Sequence, residues 1–281
     1  MSQPTIVTAF FDIGRSEWDS YSRTNDTYLE RLEMLCHLKN TIILYTDYKF
    51  LPLIEDIKNR VKPDLIVEYE DLVDDPKMLS DISRTQQSQY FRQDLKYDYR
   101  AECNSPEYVY LMFKKGQYVT RAIEKHNITG HVAWIDAGYP RKLEDMPKSR
   151  QWDYEFPNKI CVWSHKENDN FVDMASDSDI TDFVKSGDVC IIGCHYVAPY
   201  WMWDWFQQQI DYCMRKLLHL GLTDDDQTLV SMAYSYKDNH EYFDLRLTTP
   251  HIKHDWFYIF QRYNNKSDVA GSVRLEPLAR G

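Results

Sequence analysis

The sequence predicts one α/β domain over residues 1–281, with a mostly parallel central sheet and helices on both faces. Three observations carry that expectation. Residues 5–69 read strand, helix, strand, helix, strand. The strand-like runs are short and continuously apolar, as strands buried on both faces are. No repeat, linker or low-complexity stretch divides the chain. That element order implies right-handed crossovers and parallel neighbours.

Residues 5–11 (TIVTAFF) give the first strand. Tyr28, Leu32, Leu35 and Cys36 recur at helical spacing, with Asn40 closing the helix. Residues 41–46 (TIILYT) form the second strand, and residues 53–61 a helix with Pro52 near its start. Residues 64–69 (DLIVEY) form the third strand. Residues 71–104 are polar and aperiodic, which suggests short helical pieces packed by Tyr90, Phe91 and Tyr97. Ser105, Pro106 and Glu107 open a long helix running towards Asn127: a capping serine, a first-turn proline and an acid at the positive dipole end. Residues 132–136 (VAWID) follow as a strand and 140–158 as a surface loop. Residues 160–163 and 188–192 are further strands, and 201–220 is an aromatic helix stopped by Gly221. A last helix starts at Thr223, and residues 242–247 form a late strand.

The chain carries 44 acids against 33 Lys and Arg, a formal charge of −11. Nucleic-acid partners are therefore not expected, because cations must replace the counterions around phosphate. No apolar run approaches the ~18–20 residues of a transmembrane helix. The opening MSQPTIVTAFFD has no basic segment followed by an apolar core, so no leader is expected. Peripheral membrane association stays open. The six cysteines are scattered and read as free thiols, which fits a cytoplasmic location.

Ligands of open parallel sheets bind beyond the carboxyl ends of the strands, which points to Asp12, Arg15, Asp47 and Asp136. Asp136 ends an apolar strand and precedes Gly138, where the backbone can pass close to a ligand. It suits a divalent metal that itself holds phosphates, or it caps a turn. The run Asp224, Asp225, Asp226 and Gln227 exceeds what capping by Thr223 needs, so at least one acid is expected to face substrate. His251, Lys253 and His254 offer metal-ligating and phosphate-neutralising groups, or a polar surface loop. Lys114, Lys115 and Arg121 are spare cations, of which Lys114 and Arg121 share a helical face. Trp201, Trp203 and Trp205 supply either a sugar platform or packing, and their alternate spacing keeps them off one helical stripe. No GxGxxG, P-loop, nucleophile elbow or zinc spacing occurs.

Taken together, TIVTAFFDIGR at 5–15, LERL at 29–32, TIILYTD at 41–47, SPEYV at 105–109, VAWIDAGY at 132–139, DVCIIG at 188–193 and DDDQ at 224–227 resemble the HtrL/YibB family. That family is associated with bacterial lipopolysaccharide gene clusters. The resemblance implies a GT-A-type, Rossmann-like glycosyltransferase using a nucleotide-sugar donor and a surface-polysaccharide or other glycan acceptor. It implies an N-terminal half for the nucleotide and a C-terminal half for the acceptor. Asp136 would take the place of the metal-binding DxD motif, with Mn²⁺ or Mg²⁺ as cofactor. The second acid is missing, since position 138 is glycine, and His254 would complete the site, with His251 in reserve. Thr8, Ala9, Phe10 and Asp47 would hold base and ribose. Asp12, Arg15, Lys114, Gly138, Gly193 and Lys253 complete the expected donor set, and Asp225, Asp226 and Gln227 the catalytic one. Two alternatives follow from the incomplete motif and the acids: a non-catalytic nucleotide-sugar-binding protein, and a metal-dependent nucleotidyltransferase or phosphohydrolase.

Overall fold

Residues 3–20, 22–164, 174, 176–247 and 257–263 are described by the computed structural model. In the N-terminal half, β1 (Thr5–Phe10), α1 (Asn25–Cys36), β2 (Ile42–Thr46), α2 (Leu51–Arg60) and β3 (Ile66–Tyr69) alternate as the sequence leads one to expect. β1 pairs in parallel with β2, and β2 with β3. α3 (Pro76–Gln87), α4 (Gln89–Arg92) and α5 (Ala101–Asn104) fill the polar segment that follows. There Phe91 is buried, whereas Tyr90 is exposed rather than packed.

The long helix expected after Ser105 is two helices, α6 (Pro106–Phe113) and α7 (Lys115–His126). Ser105 caps the first by accepting the Tyr108 N–H at 3.1 Å. The interruption falls at Lys114, whose buried ammonium is drawn 2.7 Å from Asp74. Arg121 lies 3.7 Å from the same aspartate, so the shared face of Lys114 and Arg121 is real and turned onto an internal partner. Asn127 ends α7 in the left-handed region at φ 50°, which asparagine tolerates better than most residues.

β4 (His131–Ile135) pairs in parallel with β1. β5 (Ile160–Ser164), α8 (Asp177–Ser186), β6 (His195–Pro199), α9 (Trp203–His219), α10 (Asp226–Ser235), β7 (Phe243–Leu247) and α11 (Ile259–Arg262) complete the described elements. The sheet has seven strands in the order β3-β2-β1-β4-β6-β5-β7. Only β6 runs against its neighbours β4 and β5, while β5 and β7 are parallel. The mostly parallel α/β architecture is therefore present, with one reversed strand that the sequence did not announce.

Residues 188–192 are not a strand; Ile191 makes a single bridge to Ser164. Their carbonyls are satisfied by side chains instead. Ser164 Oγ donates to Cys190 O at 2.9 Å and Gln227 Nε2 to Ile191 O at 2.8 Å. A buried segment with its polar groups met needs no ladder.

Successive side chains of the central strands enter opposite cores, as a period of two requires. Val7, Ile43 and Trp134 join one face with α6, α7, α9 and α10, while Ile6, Ile42, Ala133 and Ile135 join the other with α1 and α2. The 140–158 segment is not a surface loop: it drives Trp152 and Phe156 into the second core. Burying one such aromatic contributes roughly 4–6 kcal/mol of transfer free energy before ordering costs. Asn40 clasps it, its Nδ2 donating to Pro4 O at 3.0 Å and Trp152 O at 2.8 Å, and its Oδ1 accepting Trp152 N–H at 2.9 Å. All six cysteines are free.

Candidate active site

β1 stands between β2 and β4, so the strand order reverses there. The crevice beyond the carboxyl ends of strands at such a reversal is where open α/β sheets bind ligands. A cavity of about 660 Å³ opens at this place. It is lined by Ala9, Phe10 and Phe11 at the end of β1 and by residues 136–139 after β4. Gly193 and Cys194 enter before β6, and residues 225–227 at the start of α10.

One part of the cavity is acidic and organised by Lys115. An ammonium has three N–H donors. Those of Lys115 are matched by Gly193 O at 2.7 Å, Asp226 Oδ2 at 2.8 Å and Asp136 Oδ1 at 3.0 Å. The break at Lys114 places Lys115 at the first position of α7, pointing beneath the sheet's strand ends. Burial works against this ammonium, but the carboxylates of Asp136 and Asp226 outweigh it and hold its pKa above the ordinary lysine value. Trp134 Nε1 donates to Asp136 Oδ1 at 2.7 Å, and the Tyr196 hydroxyl to Asp226 Oδ2 at 2.5 Å. Asp136 and Asp226 are each anchored through one oxygen, and among the described residues nothing hydrogen-bonds to the other.

The three acids of the 224–226 run have separate tasks. Asp224 accepts the Thr228 hydroxyl at 2.7 Å and the Asp225 N–H at 2.9 Å. Asp225 caps α10 by accepting the Gln227 N–H at 3.0 Å, and its second oxygen takes the Tyr108 hydroxyl at 3.2 Å. The cap is therefore Asp225 and not Thr223, whose buried hydroxyl has no hydrogen-bond partner among the described residues. Burial, then the nearby Glu102 carboxylate, pushes the Asp225 carboxyl up to about 7. Burial pushes Asp226 up to about 7 as well, against the pull of Lys115. His195 sits beneath, kept neutral by burial and by Lys115, which depress its pKa to about 3.

Glycine is required at two places on this floor. A Cβ on Gly193 would lie 2.7 Å from Gln227 Cγ and 2.8 Å from Asp226 Oδ2. A Cβ on Gly138 would lie 2.8 Å from the Tyr28 ring. The close approach at Gly138 thus serves a protein ring, and it leaves no room for an acid at that position.

The other part of the cavity is basic. Arg15, Arg23, Arg31 and Arg141 all line it, arriving from the turn after β1, the approach to α1, α1 itself and the turn after β4. The Arg15 guanidinium donates to the Tyr28 hydroxyl at 2.5 Å. Arg141 stacks 4.1 Å from the Phe257 ring. Among the described residues the buried Arg31 Nη1 has no hydrogen-bond partner, and burial, then the charge of Arg23, lowers its pKa.

Of the residues expected from sequence, Ala9, Phe10, Arg15, Asp136, Gly138, Gly193, Asp225, Asp226 and Gln227 are brought together around the cavity. Thr8, Asp12, Asp47 and Lys114 do not line it. Thr8 is fully buried in β1. Asp12 closes its own turn on the Gly14 N–H at 3.0 Å and meets Lys49, which also lies 3.8 Å from Asp47. His251, Lys253 and His254 lie outside the described residues. Of the three tryptophans at 201–205, Trp203 is buried, Trp201 is exposed elsewhere and Trp205 packs on Tyr242 at 4.6 Å, so none of the three lines the cavity. Sequence reasoning named Lys115 only as a spare cation, with no site role, and did not name Arg23, Arg31 or Arg141. The signal for Arg31 was its place three residues after Tyr28, on the inward face of α1.

The expected Mn²⁺ or Mg²⁺ would need a ligand beyond Asp136, and His254 and His251 lie outside the described residues. Among the described residues no three His, Cys, Asp or Glu side chains converge to hold an ion. Asp136 offers one uncommitted oxygen, on a carboxylate that already carries an ammonium.

Fold and cavity define an α/β protein with a charge-divided pocket at a strand-order reversal. The chain belongs to the HtrL/YibB family, described as bacterial proteins of unknown function, whose profile matches residues 2–265. It is 28% identical to Protein HtrL of Escherichia coli (strain K12) over 277 residues, covering 95% of this chain and 94% of that one. Among solved structures, the crystal structure of mouse xyloside xylosyltransferase 1 in its apo form is similar at a TM-score of 0.39. Sequence identity is 12%, and the match covers 92% of this chain and 93% of that chain. Among the described residues, no helix is long and apolar enough to cross a membrane.

Proposed function

We propose that this chain is a glycosyltransferase of GT-A type that moves a sugar from a nucleotide-sugar donor to a saccharide acceptor, of the surface-polysaccharide class. The observation that carries the reading is the division of one cavity into an arginine wall and an acidic floor. Glycosyl transfer needs both. The bond between the anomeric carbon and the diphosphate oxygen breaks as the acceptor oxygen bonds to that carbon. Negative charge grows on the departing nucleoside diphosphate, and positive charge on the sugar. Guanidinium groups suit the first charge and carboxylates the second.

Asp226 is the proton acceptor in this reading. Its Oδ2 is fixed by Lys115 and Tyr196, which leaves Oδ1 to take the acceptor hydroxyl's proton. A carboxyl near 7 is matched to that task at neutral pH. Asp225 holds Tyr108 and the start of α10, and Gln227 fixes the 188–193 segment through Ile191 O. Ala9 and Phe10 flank the nucleoside, on the side contributed by the N-terminal half, while the C-terminal half supplies the acceptor side.

The test is a panel of nucleotide sugars with mono- and disaccharide acceptors, read as released nucleoside diphosphate and as extended glycan. Asp226→Asn is expected to lower turnover by about 100-fold or more while donor binding persists. Donor binding with no turnover on any acceptor would make the chain a donor-binding protein instead. Free phosphate or pyrophosphate without sugar transfer would make it a nucleotide hydrolase or nucleotidyltransferase.

A further inference from the structure

We propose that the cavity holds the diphosphate of its donor on arginine side chains, with Lys115 as the resident cation of the acidic floor, so that donor binding requires no divalent metal. The inference rests on the donor reading above and names how that donor is held.

The acidic floor already has its counter-charge. Lys115 spends all three ammonium protons on Gly193 O, Asp226 and Asp136, at 2.7, 2.8 and 3.0 Å. A divalent ion on the remaining oxygen of Asp136 would share that carboxylate with an ammonium and be repelled by it. A second carboxylate two positions on is sterically shut out, because a Cβ at Gly138 meets the Tyr28 ring at 2.8 Å. The same Tyr28 offers its hydroxyl to Arg15, so the ring that closes the acid's place also positions a guanidinium.

The basic wall has the opposite imbalance. Arg23, Arg31 and Arg141 make no ion pair among the described residues, in a chain whose formal charge is −11. Surface arginines in so acidic a protein ordinarily find carboxylates, as Arg60 and Arg84 do here. Instead, like charges are gathered around a cavity, and Arg31 keeps a buried Nη1 with nothing to donate to. A buried donor left unmatched is unfavourable, and an anion with several oxygens relieves it at once. Arg15 and these three guanidiniums together supply more positive charge than one divalent ion, in the planar fork geometry that phosphate oxygens accept in pairs.

Uridine, guanosine, cytidine and adenosine diphosphates are titrated into the full chain by calorimetry, once with EDTA and once with MnCl₂. The expected result is one favoured diphosphate bound with affinities that agree within about threefold between the two buffers. Arg31→Gln is expected to weaken it about tenfold or more in both buffers. Arg23→Gln serves as a second variant, and melting of each unliganded variant reports whether it folds. Binding seen only with Mn²⁺ would overturn the inference and leave the donor reading standing. Wild-type affinity in folded Arg31→Gln and Arg23→Gln would overturn it too. No binding of any diphosphate in either buffer would remove the donor reading itself.

Discussion

Removing the Lys115 ammonium would leave the Asp226 carboxyl, 4% exposed, without its cation and with Asp136 close by. Truncating one member of a buried ion pair costs about 3–5 kcal/mol. Lys115→Met is therefore expected to lower the unfolding free energy from urea titration by that much, and Asp226→Asn in the same chain to restore part of it. If Lys115→Met is as stable as the parent, the ammonium is not the floor's organiser. The acids also give stability an unusual pH dependence. Asp225 and Asp226 stand near 7 when folded against an ordinary 3.8. Groups raised in the folded state bind protons more tightly there, so stability falls as pH rises from about 4 to about 7. Lys115, Tyr196, Tyr108, Glu102, Asp136 and Asp224 face the two carboxyls and set the slope. Urea midpoints across that window should decline, and the decline should flatten in Asp226→Asn. Lys115 was visible in the sequence only as one of two lysines in the apolar run YVYLMFKKGQY. Nothing in that run says which lysine turns towards Asp74 and which towards Asp226; the helix interruption between them decides.

The interruption between α6 and α7 shows how an element boundary places chemistry. Local signals predicted the start of α6 well, because a serine cap and a first-turn proline act within one turn. Ser105→Ala is expected to cost about 1 kcal/mol, read by chemical denaturation. The break at Lys114 has no local signature, and the side chain at that position pairs with Asp74, forty residues earlier in the chain. The 188–192 segment teaches the same lesson from the other side. Its apolar run reads as a strand, yet Ser164 and Gln227 take its carbonyls and the chain turns into the reversed β6. The turn brings Gly193 against α10. Gly193→Ala should displace Asp226 and Gln227, lowering turnover of the donor more than its binding. Equal loss of both, or of neither, would count against the tight contact as a catalytic constraint.

Across the molecule, charge is segregated rather than averaged. From composition alone the −11 balance argues against polyanion partners, but it gives no hint that four arginines gather at one cavity. They come from the turn after β1, the approach to α1, α1 itself and the turn after β4, and the strand-order reversal between β1 and β4 brings these to one cavity. The central parallel strands and the Asp136 and Asp225–Gln227 part of the site were legible because each depends on short motifs. The arginine wall was not, because it depends on tertiary placement. An anion held by such a wall is sensitive to ionic strength, so diphosphate affinity is expected to fall as salt rises beyond about 0.1 M. An affinity indifferent to salt would argue for apolar base contacts as the main source of binding.

The clasp at Asn40 constrains the molecule during synthesis. Asn40 waits for Trp152, 112 residues later, and the Trp152 indole then donates to Tyr263 O at 2.6 Å. At about 5–20 residues per second, the amide emerges roughly 6–22 s before its partner. Before residue 152 is made, Asn40 lacks both of its bonds to Trp152 and keeps only Pro4 O, and before residue 131 the β1 edge lacks β4 as well. Arrested nascent chains stopping short of residue 152 should be cut readily by protease, whereas chains extended past it should gain protection. In Asn40→Ala that gain should be lost, and the finished protein should be weakened by about 1–3 kcal/mol for each buried backbone group left unpaired. Protection that still appears in Asn40→Ala chains extended past residue 152 would separate the clasp from that step.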